Sequence, residues 1–122
     1  MKCLVLLLWA VGLSLAQEHE GNFVIRFEPR AVLQANAVIP FEIRVVDDRS
    51  QPVLGAKVTL QIETLQHTHV KVFNAPSVDQ GVYIANATFP SSGLWSIYVE
   101  VHRDGQMSAR TIEFNVPESA SP

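Results

Sequence analysis

Apolar and polar positions alternate with a period of two along most of this chain from Phe23 to Val116. Successive side chains of a β-strand point to opposite faces of a sheet, so this pattern is what a half-buried strand requires. Phe23, Ile25 and Phe27 alternate with Val24, Arg26 and Glu28, predicting a first strand that stops at Pro29. Phe41, Ile43 and Val45 predict a second strand, followed by a polar connection from Asp47 to Pro52 that is dense in turn formers. Val58, Leu60 and Ile62, interleaved with Lys57, Thr59, Gln61 and Glu63, predict a third. The segment from Leu65 to Phe73 is less regular and ends at Asn74-Ala75-Pro76, which reads as a short edge strand or an extended loop. Tyr83, Ala85, Ala87 and Phe89 form the next strand, closed by Pro90 and Ser91-Ser92-Gly93. Trp95, Ile97, Val99 and Val101 then share one face, with Ser96, Tyr98, Glu100 and His102 on the other. Asp104-Gly105 supplies the positive φ angles of a tight hairpin, and Ile112, Phe114 and Val116 mark the last strand before Pro117. No segment keeps the spacing of an amphipathic helix for more than a turn. Six to seven short strands at about ten-residue spacing predict an all-β, antiparallel β-sandwich.

The amino-terminus changes what counts as the domain. Lys2 gives a positive start, Leu4 to Val11 is an apolar run, and Ser14-Leu15-Ala16 sets small residues where a signal peptidase reads. Residues 1–16 are therefore expected to be a cleaved signal peptide, 17–21 a short N-terminal segment, 22–117 the β-sandwich domain and 118–122 a polar tail. The expected location is outside the cytoplasm, periplasmic or extracellular. The apolar run is too short to cross a bilayer, and no later stretch reaches the roughly 18 apolar residues a spanning helix needs, so no transmembrane span is expected in the mature chain.

Cys3 is the single cysteine and leaves with the signal, so the mature domain is expected to have no disulfide and to rest on apolar packing alone. Roughly 100 residues suffice for one sandwich core. Loss of Lys2 takes the formal net charge from −3 to −4, and the arginines are scattered among acids. Without a basic stripe there is nothing to track a phosphate backbone, so no nucleic-acid partner is expected.

Candidate chemistry is sparse. Trp95 reads as the central core side chain rather than a binding platform, because it shares a face with Ile97 and Val99. His67 and His69 are two apart, and on an extended backbone they project to one face, where nitrogen ligands suit Cu(II), Ni(II) or Zn(II). Glu63 has the same parity and adds an oxygen donor if the strand continues to the histidines without a bulge. If cleavage follows Ala16, the new terminus Gln17-Glu18-His19 places histidine third, so that the amine, two backbone nitrogens and the imidazole form a square-planar site for Cu(II) or Ni(II). His102 reads as a solvated surface histidine, Met107 as packing, and Asn86, within the Asn86-Ala87-Thr88 acceptor pattern, as an outward strand residue. No nucleophile elbow or phosphate cradle is present, the expected mature chain has no thiol, and Asp47-Asp48 are adjacent carboxylates that point apart, so catalysis is not expected.

Several of these segments carry a resemblance. Gln51-Pro52-Val53-Leu54-Gly55-Ala56-Lys57-Val58 is similar to the turn and strand that open many bacterial immunoglobulin-like modules. Gly81-Val82-Tyr83-Ile84-Ala85, then Phe89, Gly93-Leu94-Trp95-Ser96-Ile97, Val99-Glu100-Val101 and Asp104-Gly105, resemble the YtkA-like and FixH-like family of exported or membrane-attached β-domains, over roughly Phe23 to Val116. The resemblance implies an immunoglobulin-like sandwich and an association with copper handling or cytochrome oxidase maturation. Several relatives carry a Met- and His-rich segment after the third strand; here it reads Thr64-Leu65-Gln66-His67-Thr68-His69, without the thioethers that suit Cu(I). Two expectations follow. One is an exported, non-enzymatic accessory domain associated with copper through His67 and His69; the other is a structural or interaction module that docks, without metal, onto an envelope or membrane protein.

Overall fold

The computed structural model describes residues 23–118, so the expected signal peptide and His19 lie outside the described residues. The described residues form eight strands: β1 (Val24–Pro29), β2 (Val38–Val46), β3 (Lys57–Thr64), β4 (Val70–Asn74), β5 (Ser77–Asp79), β6 (Val82–Thr88), β7 (Gly93–Arg103) and β8 (Gln106–Val116). They make two four-stranded sheets, ordered β1-β2-β6-β5 and β4-β3-β7-β8, with every pairing antiparallel. This is an immunoglobulin-like arrangement, in which neighbours in a sheet are partly distant in sequence. The irregular segment after β3 divides into a turn and the edge strand β4, and the short β5 adds an eighth strand. The chain changes sheets at Ala75-Pro76, where the buried Ala75 donates its N–H to the Val58 carbonyl (2.9 Å) and Ile84 donates to the Pro76 carbonyl (3.1 Å).

The alternating apolar positions fill the space between the sheets. Phe41, Ile43, Val45, Leu60, Ile62, Ala85, Ala87, Ile97, Val99 and Val101 are completely inaccessible. A row of rings links the two layers: Phe27 to Phe114 (centroids 6.4 Å apart), Phe114 to Phe41 (5.9 Å), Phe41 to Phe89 (6.2 Å) and Phe89 to Trp95 (5.5 Å). Edge-to-face geometry, which recurs here, sets the positive ring edge against the negative face. Trp95 is buried, and its Nε1–H donates to the Ser91 carbonyl at 2.9 Å, so its one polar atom is satisfied. Tyr83 is likewise buried; its hydroxyl donates to the Val53 carbonyl (2.7 Å) and accepts from the Ala56 N–H (3.2 Å), pinning the β2–β3 connection to the core.

Turn chemistry follows the predicted positions. Asp104 (φ 52°) and Gly105 (φ 77°) form the two-residue loop between Arg103 and Gln106. In the β2–β3 connection the Asp47 carboxylate accepts from the N–H groups of Arg49 (2.8 Å) and Gln51 (2.9 Å). Those bonds, Gln51 first, hold its carboxyl below the usual carboxylate range because they favour the charged form. One outward position departs from the pattern: Glu42 in β2 is buried at 6 % exposure, with Arg30 on one carboxylate oxygen and Arg44 on the other.

Candidate functional site

The tip of the β3–β4 hairpin carries the histidines singled out in the sequence. Five residues, Leu65 to His69, connect the strands, and the Thr64 side chain organises them. Its hydroxyl oxygen accepts from the N–H of Thr68 (3.0 Å) and of His69 (3.4 Å) and lies 2.9 Å from the Thr68 hydroxyl. The backbone closes with His67 N–H to the Thr64 carbonyl (2.9 Å) and Thr64 N–H to the His69 carbonyl (3.2 Å). His67 adopts φ 60°, so the chain turns here, and the alternation that would put His67 and His69 on one face of an extended strand does not operate.

The donors are arranged accordingly. His67 Nδ1 meets the Glu63 carboxylate at the end of β3, while His69 Nδ1 lies 3.3 Å from the Thr68 hydroxyl. The His67 side chain is 75 % exposed, so its contact with Glu63 is well solvated and weak by itself. Among the described residues, no three His, Cys, Asp or Glu side chains converge to hold a metal ion. The tip thus offers an imidazole beside a carboxylate, with a second imidazole directed elsewhere. As a donor set, nitrogen and oxygen suit a divalent borderline ion rather than Cu(I).

A second polar group lies on the outer face of β7. Glu100 accepts from the Tyr98 hydroxyl (2.8 Å) on one oxygen, and its other oxygen is 2.7 Å from His102 Nε2. Residues two apart on one strand share a face, which is why these three meet. Burial, and then the hydrogen bond and charge of Glu100, push the Tyr98 phenol up to about 12. It is therefore a neutral donor at physiological pH. His102 is exposed beside Glu100, where the alternation places it, and the arrangement braces the sheet surface.

The third feature is apolar. Edge strands β4 and β5 follow each other through Ala75-Pro76 and form one flank of the sandwich, where Val70 (50 %), Val72 (59 %) and Val78 (57 %) are exposed. In β4, Val70 is opposite Glu63 and Val72 opposite Gln61, so both stand on the outer face. The Val-Lys-Val alternation was the available signal for this strand, but it is too short to be separated from the turn beside it by pattern alone.

The fold and these surfaces define a small immunoglobulin-like sandwich with exposed sheet edges and a polar hairpin tip. The family model described as YtkA-like matches residues 16–100, and the chain belongs to the YtkA-like family. The match ends at Glu100 inside β7, so the hairpin turn at Asp104-Gly105 and the whole of β8 lie beyond it, where they complete the second sheet. No curated protein matches the chain. Among the described residues no helix is long and apolar enough to cross a membrane.

Proposed function

We propose that this chain is an exported, non-enzymatic accessory domain that works by docking onto another protein of the cell envelope. The observation that carries this reading is the flank formed by β4 and β5. An edge strand presents unpaired N–H and C=O groups, and folded domains blunt such edges with charge, proline or cover. Here Lys71 is the only charge within β4, and valines stand exposed on either side of it. Strand addition by a partner supplies the missing main-chain bonds, while alternate side chains give specificity. A photo-crosslinking residue at position 72 in the full chain, in its native envelope, is expected to give a discrete adduct. Replacing Val70 and Val78 with Lys in the same chain is expected to remove it. An adduct no stronger than that from a probe at Asn115, on the opposite edge, would sink the docking reading.

A second reading is favoured by the meeting of Glu63 and His67 at the hairpin tip, with His69 two residues on. On this reading the accessory role concerns copper, as the family resemblance implies, and the tip binds Cu(II) or Zn(II) after His69 swings from Thr68 towards Glu63. Calorimetric titration of the processed chain with Cu(II), Cu(I) and Zn(II) tests it. Submicromolar binding that disappears on joint His67→Ala and His69→Ala replacement is the expected result; binding that survives it but is lost in His19→Ala moves the site to the terminus. Absence of binding in the parent chain removes copper and leaves docking alone.

A further inference from the structure

The outer face of the β1-β2-β6 sheet carries charge in rows. Register sets Arg26 opposite Arg44 and, two residues further along, Glu28 opposite Glu42. Directly opposed like charges on one face are destabilising, so each row raises the question of what compensates it. Glu42 is compensated within the chain, since Arg30 and Arg44 take its two oxygens. Arg26 and Glu28 are different. Both are exposed, and neither forms a salt bridge with any described residue. Arg26 thus lies beside Glu28, about 7 Å away along the strand, and neither has an opposite charge in contact, whereas Arg44 already pairs with Glu42.

A surface striped this way matches its own copy turned by half a revolution. Take a two-fold axis that runs across the strands, between the Arg26 row and the Glu28 row, in the plane between two facing sheets. It exchanges the rows, so that Glu28 of each copy lies over Arg26 of the other, within reach of Arg44. The same operation treats the apolar positions consistently. On β6, Val82 lies in the Arg44 row and Ile84 in the Glu42 row, so Val82 of one copy meets Ile84 of the other. Val46 lies one row beyond the arginines and Pro40 one row beyond the glutamates, so these also face each other. Aligned face-to-face packing of sheets tolerates this geometry, and an isologous contact requires such self-complementarity.

We infer that two copies of this chain associate through the outer faces of their β1-β2-β6 sheets, with Glu28 of each seated against Arg26 and Arg44 of the other. The contact lies on the outer sheet surface and uses no residue of β4 or β5, so failure of the crosslinking experiment at position 72 leaves it untouched. Its partner is a second copy because the complementary charge and apolar positions are all present on one face.

Sedimentation equilibrium of the purified full chain across a concentration series reads the association directly. The parent chain is expected to dimerise, less strongly as salt rises, because exposed charges are screened. Arg26→Glu sets Glu against Glu in both halves of the contact, and Glu28→Arg sets Arg against Arg; each is expected to weaken dimerisation by at least about tenfold. An equimolar mixture of the two single variants restores both pairings, so it should form a heterodimer while neither variant forms a homodimer. The double variant Arg26→Glu with Glu28→Arg should recover homodimers. These positions are exposed, so each variant is expected to keep its strands, which circular dichroism checks. A parent chain that stays monomeric throughout, single variants that dimerise like the parent, or a mixture without heterodimers each overturn the inference.

Discussion

Trp95→Ala is expected to lower the unfolding free energy by about 3 to 5 kcal/mol, the range found when a large buried aromatic is truncated. Three losses combine. The side chain is 1 % exposed, so its whole apolar area returns to water only in the unfolded state, and its removal leaves a cavity between sheets that cannot collapse freely. The edge-to-face contact with Phe89, at 5.5 Å, goes with it and breaks the row of rings that ends there. The Ser91 carbonyl loses the indole donor at 2.9 Å and must find water. Small domains are stable by only about 5 to 15 kcal/mol, and the described fold has no covalent crosslink, so the variant should sit near the edge of folding at ambient temperature. Trp95→Phe keeps a ring against Phe89 and should cost markedly less. Urea unfolding followed by far-ultraviolet circular dichroism separates the two through the midpoint, provided the slope is unchanged. A midpoint shift for Trp95→Ala no larger than that for the exposed Ser92→Ala would contradict the placement of the indole at the centre of the core.

What the sequence made legible was the part of the fold written in local alternation. Phe41, Ile43, Val45, Trp95, Ile97 and Val99 could be assigned to the core because each lies on the apolar side of an unbroken period-two run, and burial follows from that parity alone. Asp104-Gly105 was legible for a different reason: few residue pairs tolerate positive φ at both positions. Parity failed where side chains or turns intervene. Glu42 occupies an outward position yet is buried, because Arg30, from beyond the end of β1, reaches over it; that partnership depends on which strands pair. His67 and His69 have matching parity, but the Thr64 hydroxyl gathers the backbone into a turn and cancels the rule. The striped face of the β1-β2-β6 sheet was illegible on the same ground. Arg26 and Arg44 are eighteen positions apart and become neighbours only through the register of β1 against β2. Pairing between distant strands is a property of the assembled sheet, and a single sequence carries it only weakly.

Gly81→Ala should be the most damaging small substitution, at about 2 to 5 kcal/mol, although it adds a single methyl group. Gly81 sits between β5 and β6 at φ 71°, where an L-residue other than glycine is strained by about 1 to 2 kcal/mol. Space is also lacking. A Cβ there would lie 2.7 Å from the Pro52 Cβ and 3.0 Å from the Val45 carbonyl oxygen, so either the loop or the strand must move, at a cost of about 1 to 3 kcal/mol for overpacking. Neither moves freely. The Val45 N–H donates to the Gly81 carbonyl (2.9 Å), Val53 donates to the Val45 carbonyl (3.0 Å), and Pro52 bridges to Val46, so β2, the Pro52 loop and the start of β6 are locked at one point. Gly55→Ala is the matching control, since Gly55 has φ 67° but no atom within 4 Å of a built Cβ. It should lose only the backbone share, about 1 to 2 kcal/mol. The difference between the two variants in urea unfolding measures the steric share alone, and equal losses would show that Pro52 yields. A larger loss at Gly81 also has a local consequence. Asp79 at the end of β5 is two residues away, so a displaced Gly81 loosens the strand that holds Val78 on the flank, and the variant should lose the envelope crosslink at position 72 at temperatures where the sandwich is still folded.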